Sequence, residues 1–311
     1  MTKQFALKLG AFISINLIVL LAALYLSSFY VQRKPYKNSQ TDSNLLIMPQ
    51  RSAVDLVILG TSHGRNFARK GNHERVERIL GQRVLNLSVG GGGGIIPGKI
   101  ALDTFYENHN TTPKIVYFID SFVFYSRMWN EENDRFAQRE PFSLSFLNRL
   151  VQYQVDPNVI RNYCREKLNY KWLTGKPDTD RIMRKTVTPD EVSRKRQLED
   201  TLYVDKESAF AFQRYAAKLE ELVAEAQIHH SNVIFVRPPT LYGKERGENR
   251  LLLLLEQLKQ KYGVEVYDYS KSMLSYDRFY QAYEDPVHLN TNGVIYFTER
   301  YLKPILKNEK P

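Results

Sequence analysis

The longest apolar segment of the chain lies near its N-terminus. No charged residue occurs between Leu9 and Tyr30, and Asn16 is the one strongly polar residue within positions 13–26. About 20 apolar residues suffice for a helix to cross a bilayer. The segment ends in Leu-Ser-Ser-Phe-Tyr and lacks the Ala-x-Ala pattern of a cleavage site. The pattern therefore favours a membrane anchor over a cleaved signal peptide.

The residues around this segment leave its orientation open. Two lysines precede it and three basic residues follow it closely, so the charge rule does not decide which side the rest of the chain occupies. Residues 32–51 are mostly polar and contain two prolines, which is typical of a stalk. We expect a single-pass membrane protein with an anchor at residues 1–31, a stalk at 32–51 and one folded domain at 52–311.

Beyond the stalk, short apolar runs alternate with longer segments of helical spacing. Such runs predict buried strands, and apolar residues that recur every three or four positions predict helices packed on them. The predicted strands are 55–59, 83–89, 114–120, 232–236 and 264–269, and the predicted helices are 67–80, 207–227, 250–262 and 291–302. This alternation predicts an α/β domain with a doubly wound, flavodoxin-like sheet of five parallel strands.

Two of the longer segments, residues 207–227 and 125–205, are distinctive in sequence. The helix at 207–227 is strongly amphipathic, with an apolar face predicted at Phe210, Tyr215, Leu219, Leu222, Val223 and Ala226. Residues 125–205 have no sheet pattern and mix aromatic with basic residues. They predict a helical insertion after the third strand, at the rim where α/β sheets bind ligands.

Composition narrows the classes of function. The chain has 311 residues, 43% of them hydrophobic, which is ample for one core. Its single cysteine, Cys164, excludes an internal disulfide, and no Cys/His cluster has zinc spacing, so we expect neither a metal nor a cofactor. The net charge of +10 is scattered and no nucleic-acid module is recognisable. The charge is consistent with attraction to anionic lipid head groups or to an anionic wall polymer. It is equally consistent with a basic surface that has no specific partner.

The first candidate for chemistry follows the first predicted strand, in Asp55-Leu-Val-Ile-Leu-Gly-Thr-Ser-His-Gly64. A buried strand that ends in a tight, small turn places the next hydroxyl, that of Ser62, at the carboxyl edge of the sheet. A serine hydroxyl needs a base, and the base needs an orienting group, before it can act as a nucleophile.

The segment Asp285-Pro-Val-His288 supplies both groups. A carboxylate three residues before an imidazole can bind one ring nitrogen and leave the other facing the serine. Glu284 is an alternative orienting group, and His63 is an alternative base, although adjacent side chains rarely point toward each other. Two further histidines, at 229–230, lie at a helix end and suit the helix dipole.

A block of five glycines, 90–94, follows the second predicted strand. The spacing Gly93 to Lys99 resembles a phosphate-binding loop, but Ile100 stands where that motif needs Ser or Thr, which argues against nucleotide binding. Two interpretations stay open. The block is either a flexible loop or a place where backbone approaches a reacting carbonyl closely.

The Gly-x-Ser turn, the glycine block and the terminal Asp-x-x-His, in this order, resemble the SGNH or GDSL-like hydrolase superfamily. Gly-Thr-Ser-His resembles its membrane-anchored branch, which includes the D-alanine transfer protein of teichoic acids and the alginate O-acetylation proteins. The resemblance implies catalysis by Ser62, His288 and Asp285, with the amides of Ser62 and Gly91 as the oxyanion hole. It also implies a domain outside the cytoplasm and a membrane-bound O-acyltransferase as partner.

The third strand departs from the pattern of this superfamily. An asparagine that would donate to the oxyanion is absent, and Asp120-Ser121 stands near its place. Losing one such donor costs about two to three powers of ten in rate. Asp120 is expected to bind substrate or to fix the loop, Ser121 to compensate as a donor, and Arg237 to hold substrate or to pair with a scaffold carboxylate.

The expected function is that of a serine esterase or O-acyltransferase on acyl esters of cell-envelope carbohydrate. The missing asparagine favours an alternative, a catalytically silent protein that binds or assembles carbohydrate. A second alternative is a lipid esterase that acts on the adjacent bilayer.

Overall fold

A computed structural model describes residues 3–38, 45–90, 93–138, 140–169, 187–201, 207–241, 245, 247–274 and 279–307. Five strands form one sheet in the order β2-β1-β3-β4-β5, and every neighbouring pair is parallel. The strands are β1 (Leu56–Gly60), β2 (Val84–Asn86), β3 (Lys114–Phe118), β4 (Asn232–Arg237) and β5 (Glu265–Asp268). This strand order is that of the flavodoxin-like doubly wound sheet, which confirms the predicted fold class.

Helices cover both faces of the sheet. In chain order, the helices of the described residues are α1 (Lys3–Gln32), α2 (Ser62–Arg65), α3 (Asn72–Leu80), α4 (Ile95–Glu107), α5 (Leu144–Gln152), α6 (Pro157–Glu166), α7 (Pro189–Thr201), α8 (Glu207–Ile228), α9 (Glu248–Tyr262), α10 (Thr291–Phe297) and α11 (Lys303–Leu306). A π-helical segment, Thr298–Leu302, joins the last two. Short 3-10 helices lie at Leu45–Ile47, Phe122–Phe124, Arg127–Trp129, Asp134–Phe136 and Tyr280–Ala282.

The alternation of side chains along β1 divides the core into two layers. Val57 and Leu59 pack with α4, α8 and α9 on one face of the sheet. Leu56 and Ile58 pack with α3 and α10 on the other face. Because successive residues of a strand point to opposite faces, a fully apolar strand is what a sheet covered on both sides requires.

Two helices differ from the prediction. The segment 67–80 is helical only from Asn72, because Lys70 and Gly71 adopt left-handed φ values of 56° and 69° and interrupt the helix. Helix α4 was not predicted, because it begins at the glycine block and its first turn contains Pro97 and Gly98. Glycine and proline are typical of loops, so they concealed the helical spacing of Lys99, Asp103 and Glu107 that follows.

Helix α8 confirms the predicted amphipathic segment with one exception. Tyr215, Leu219 and Leu222 are fully buried, whereas Phe210 is 72% exposed. Phe210 lies five positions before Tyr215, about 140° away around the helix, and so falls outside the buried stripe.

The insertion after β3 is helical, as predicted, where the structure describes it. Its 3-10 turns and helices α5 to α7 lead into α8 and then β4. Tyr215 of α8 donates a hydrogen bond to the buried carboxylate of Glu131 and so ties the insertion to the main layer. Residues 170–186 of this insertion, which include the aromatic residues Tyr170 and Trp172, lie outside the described residues.

Helix α1 is long and apolar enough to cross a membrane, and it is the one such helix among the described residues. The apolar part of this helix is not buried within the protein. Near its C-terminal end Ser28 and Val31 are buried, and it contacts the short helix Leu45–Ile47. Within the predicted stalk, Leu45 and Met48 belong to the core.

Candidate active site

The turn after β1 depends on glycine. Gly60 has φ +137°, and a Cβ added to it would lie 2.5 Å from the carbonyl oxygen of Phe118 on β3. Only glycine allows both this conformation and this approach. The next residue, Thr61, caps the four-residue helix α2, so that Ser62 begins that helix at the carboxyl edge of the sheet. The side chain of Ser62 is partly exposed there.

The loop before α10 brings His288 to this serine. Ser62 Oγ lies 2.7 Å from His288 Nε2, although the two residues are 226 positions apart. His288 Nδ1 lies 2.7 Å from Asp285 Oδ2. A carboxylate only accepts hydrogen bonds, so Nδ1 donates to Asp285, and Nε2 is left to accept the serine proton. The three side chains form one hydrogen-bonded relay.

Asp285 is held in place by its own loop. Its Oδ1 accepts hydrogen bonds from the amides of Val287 and His288, each at 2.9 Å. Burial opposes the charge of this carboxyl, but the hydrogen bond from the His288 ring and these two amides lower the pKa of Asp285 far below its ordinary value. The carboxylate therefore stays ionised and can orient the imidazole.

The two rival groups are engaged elsewhere. Glu284 pairs with Lys70, which lies after α2. His63 points away from the serine hydroxyl: its Nε2 lies 2.7 Å from the carbonyl oxygen of Val287, and its Nδ1 lies 2.9 Å from Asp120 Oδ1. The geometry brings Asp285 and His288 to Ser62 and gives Glu284 and His63 other partners.

Asp120 is buried beneath the turn and its carboxylate faces scaffold groups. Only 1% of the residue is exposed, and Oδ2 accepts a hydrogen bond of 2.6 Å from the Thr61 hydroxyl. Burial alone would lower the pKa of His63, but the charge and hydrogen bonding of Asp120, the charge of Glu245 and the Val287 carbonyl together outweigh it and raise the pKa of His63 to about 9. This pairing gives the Asp120 carboxylate partners within the scaffold.

Ser121 and Arg237 are also buried and paired. The amide and hydroxyl of Ser121 both donate to Glu245. Burial and the nearby charge of Asp120 raise the pKa of Glu245 to about 7. Arg237 donates to Glu248 at 2.8 Å and to Asp268 at 2.6 Å, which is the predicted pairing with scaffold carboxylates.

The glycine block supplies part of the rim. Gly91, predicted as an oxyanion donor, lies outside the described residues. Gly94 packs against Trp129 and Asn130, and its amide donates to the Trp129 carbonyl at 2.8 Å. Asn130 Oδ1 accepts from the first two amides of α4, those of Ile95 and Ile96. The amides of Gly94, Ile95 and Ile96 therefore bind groups of the protein itself and are not free to hold a phosphate.

Sequence reasoning missed a set of residues that join the serine turn to the histidine loop. Asn66 Nδ2 donates to the carbonyl of Leu289 at 3.1 Å, and Lys70 pairs with Glu284. With His63 these residues occupy positions i, i+3 and i+7, which share one face of a helix. That spacing was the available signal, although it does not reveal the distant partner.

No group of three or more His, Cys, Asp or Glu side chains in the described part of the chain is arranged to hold a metal ion.

Comparison with known proteins gives little beyond the geometry. No family model matches the sequence, and no curated protein matches it. Among solved structures, the chain is similar to a protein of Bacteroides fragilis NCTC 9343 that is described as a "putative acylhydrolase". The two share 14% sequence identity with a TM-score of 0.41, over 89% of this chain and 99% of the other. A likeness this remote carries no argument, so the fold assignment stands on the strand order alone.

Proposed function

We propose that the chain is a membrane-tethered serine esterase or O-acyltransferase of the SGNH type, which acts on acyl esters of cell-envelope carbohydrate. The observation that carries the proposal is the relay from Ser62 through His288 to Asp285, with both links at 2.7 Å. Three residues from two distant segments meet in the order that nucleophilic acyl transfer requires. The superfamily motifs of the sequence give the same three residues.

The proposed reaction has two displacements. Ser62 Oγ attacks the ester carbonyl while His288 Nε2 takes its proton, and the imidazolium is stabilised by the ionised Asp285. His288 then returns the proton to the leaving alcohol as the C–O bond breaks, which leaves the acyl group on Ser62. Water or a carbohydrate hydroxyl attacks this acyl-enzyme, with His288 again accepting the proton, and the free serine is restored.

The developing oxyanion needs donors near Ser62. We assign the Ser62 amide and, from the superfamily pattern, the Gly91 amide to this role. Asp120 offers no donor, because its carboxylate accepts from Thr61 and pairs with His63. With the asparagine missing, we expect slow turnover of simple esters and better turnover of a substrate that supplies its own binding energy.

The membrane assignment rests on α1. Its exposed apolar surface suits a bilayer, and its C-terminal end packs on the folded domain. A domain held at the bilayer surface has access to envelope polymers and to other membrane proteins. We therefore propose an extracytoplasmic domain that works beside a membrane-bound O-acyltransferase.

A fluorophosphonate probe tests the nucleophile directly, because it reacts with an activated serine. In the full chain held in detergent, we expect labelling of wild type and of Ser272→Ala, and none of Ser62→Ala. Ser272 is a matched control, since its hydroxyl donates to the Tyr269 carbonyl outside the site. A folded wild-type protein that takes up no label would support the silent, carbohydrate-binding alternative instead.

A second comparison tests the substrate class. Release of acetate from an O-acetylated glycan is measured beside release of fatty acid from a lysolipid in the same detergent. The proposal expects the glycan to be turned over faster, in a reaction that Ser62→Ala abolishes. Faster turnover of the lysolipid would favour the lipid esterase.

A further inference from the structure

Catalysis by this relay requires two parts of the chain to hold a fixed separation. Ser62 lies on the short helix α2, whereas His288 lies in the loop between Tyr283 and Asn290, which has one isolated β-bridge, Tyr283 to Leu289. A loop of this kind does not set its own position against α2. Groups outside the relay must do so.

The residues on both sides of Ser62 converge on one carboxylate. The Thr61 hydroxyl donates to Asp120 Oδ2 at 2.6 Å, and His63 Nδ1 lies 2.9 Å from Asp120 Oδ1. The Asp120 side chain is fully buried at the end of β3. The nucleophile is thereby held by its two neighbours to the sheet edge.

The residues on both sides of His288 are held in a corresponding way. The carbonyl of Val287 accepts from His63 Nε2 at 2.7 Å, and the carbonyl of Leu289 accepts from Asn66 at 3.1 Å. Of these two side chains, His63 and Asn66, it is His63 that also lies beside the Asp120 carboxylate beneath Ser62. A single imidazole thus links the support of the serine to the loop of the histidine.

This link requires both ring nitrogens of His63 to carry protons. Nε2 must donate, because a carbonyl oxygen only accepts, and an unprotonated Nδ1 would set its lone pair against a carboxylate oxygen 2.9 Å away. The groups that face this ring are Asp120, Glu245 and His288, whose ring centroid lies 5.2 Å away. The nearest of them is the carboxylate that favours the cation.

We propose, on the basis of the function proposed above, that Asp120 and His63 are a positioning pair that fixes the distance between the nucleophile and its base. Neither residue touches substrate or the reacting atoms. Asp120 anchors the residues that flank Ser62, and the His63 ring carries that anchor across to the residue before His288. Asp120, which follows β3, then stands where the resemblance implies an oxyanion donor, and it holds the residues beside Ser62 instead.

Two amide variants separate the contacts of the ring. The amide of His63→Asn reaches the place of Nδ1, and that of His63→Gln reaches the place of Nε2. With 4-nitrophenyl acetate, we expect both to lower kcat by between about tenfold and a hundredfold, because small misplacements at a reacting pair are costly. KM should change by less than about threefold, since no contact with substrate is lost. His63→Gln should lose less, because it keeps a donor for the Val287 carbonyl.

The pH dependence gives a readout that a general loss of stability does not. In wild type, kcat should fall as the pH rises through about 9, where His63 loses its second proton. Both amide variants should lack this alkaline limb. His73→Asn is the control, because His73 is a partly buried histidine on α3 that contacts Asn38 and Glu77 instead of the site, and its pH profile should match that of wild type.

A measurement independent of activity keeps the positioning role separate from the proposed reaction. Diethyl pyrocarbonate modifies accessible neutral imidazoles, and mass spectrometry reads the rate at His288. A loosened loop should make His288 react about threefold faster or more in His63→Asn than in wild type. If wild type shows neither labelling nor turnover, the proposed function fails, and this rate alone decides whether the pair positions the loop.

Several results would overturn the positioning pair. One is wild-type kcat and an unchanged alkaline limb in folded His63→Asn. Another is an unchanged rate of His288 modification in that variant. A third is a higher kcat in Asp120→Asn, since this change restores an asparagine and removes the charge that holds His63. We expect instead that Asp120→Asn lowers kcat as the His63 variants do.

Discussion

Two histidine–aspartate pairs lie side by side at this sheet edge, and they differ in almost everything except chemistry. The pair of His288 and Asp285 is local, three residues apart, with side chains 22% and 46% exposed. The pair of His63 and Asp120 joins distant segments, with side chains 6% and 0% exposed. A pair that exchanges protons with substrate needs access, whereas a pair that holds a fixed charge needs burial and rigid partners. Burial, more than residue type, separates the two roles.

The largest effect should come from the exposed pair. Asp285→Asn leaves the shape of the loop intact but no longer fixes which nitrogen of His288 carries the proton, so kcat should fall by about two to four powers of ten. Because the carboxylate is nearly half exposed, stability should change by no more than about 1 kcal/mol. Kinetics and thermal unfolding of the same preparation check both expectations. Unchanged kcat would remove Asp285 from the proposed relay.

For the buried pair, we expect a larger loss of stability than for the exposed pair. Asp120→Ala removes the carboxylate that pairs with the His63 cation, and breaking a buried ion pair in this way costs about 3–5 kcal/mol. The free energy of unfolding in denaturant measures the loss, with Asp285→Ala as the matched exposed carboxylate. Similar losses in the two variants would contradict the contrast drawn between the pairs.

Alkaline pH should weaken the buried pair selectively. The pKa of His63 is raised from 6.5 to about 9 in the folded protein, so its contribution is complete below pH 6.5 and disappears as the pH rises through 9. The rise corresponds to about 3 kcal/mol of stability lost over that window. His63→Asn should show a shallower decline of unfolding free energy between pH 6.5 and 9.

Two other carboxyl groups, those of Glu245 and Asp285, also make the stability depend on pH. Burial and the charge of Asp120 raise the pKa of Glu245 to about 7, against the charge of His63, which lowers it. The proton that Glu245 holds in the folded state therefore makes stability fall as the pH rises from 4.5 to 7, and removal of the His63 cation shifts this decline to higher pH. The pKa of Asp285 is lowered, so its contribution is lost only as the pH falls below 3.8. A decline between pH 6.5 and 9 that is equally steep in His63→Asn would show that His63 is not its source.

The smallest effect should come from the ion pair at the far end of the histidine loop. Lys70 and Glu284 are 12% and 15% exposed, and their pairing is less constrained than that of the buried histidine. Lys70→Met should cost about 1 kcal/mol or less and leave kcat within about twofold of wild type. Thermal unfolding and the esterase assay test this, and a loss of kcat like that of His63→Asn would extend the positioning role to the Lys70–Glu284 pair.

The sequence predicted those parts of the site that depend on local pattern. Apolar runs ending in Gly60 and in Arg237 mark strands and their carboxyl ends, and the Asp285–His288 spacing is a local geometry. The break before α3 and the helix α4 escaped prediction, because a left-handed lysine leaves no periodic signal and because Pro97 and Gly98 in the first turn of α4 are typical of a loop.

The partner of His63 could not be predicted either. Its position beside Ser62 suggested a rival base, and Asp120 suggested either a contact with substrate or a fixed loop. Their pairing depends on how closely β1 and β3 approach at Gly60 and on where the loop of Val287 crosses α2. Such contacts between distant segments have no signature in a single sequence.

The separation of 226 positions between Ser62 and His288 has a consequence for the order of synthesis. A nascent chain that contains β1 but not the loop of His288 has no imidazole beside Ser62 to accept its proton. The proposed reactivity toward esters would therefore appear only after strands from both halves of the sheet have met, and incomplete chains would leave the acyl groups around them intact.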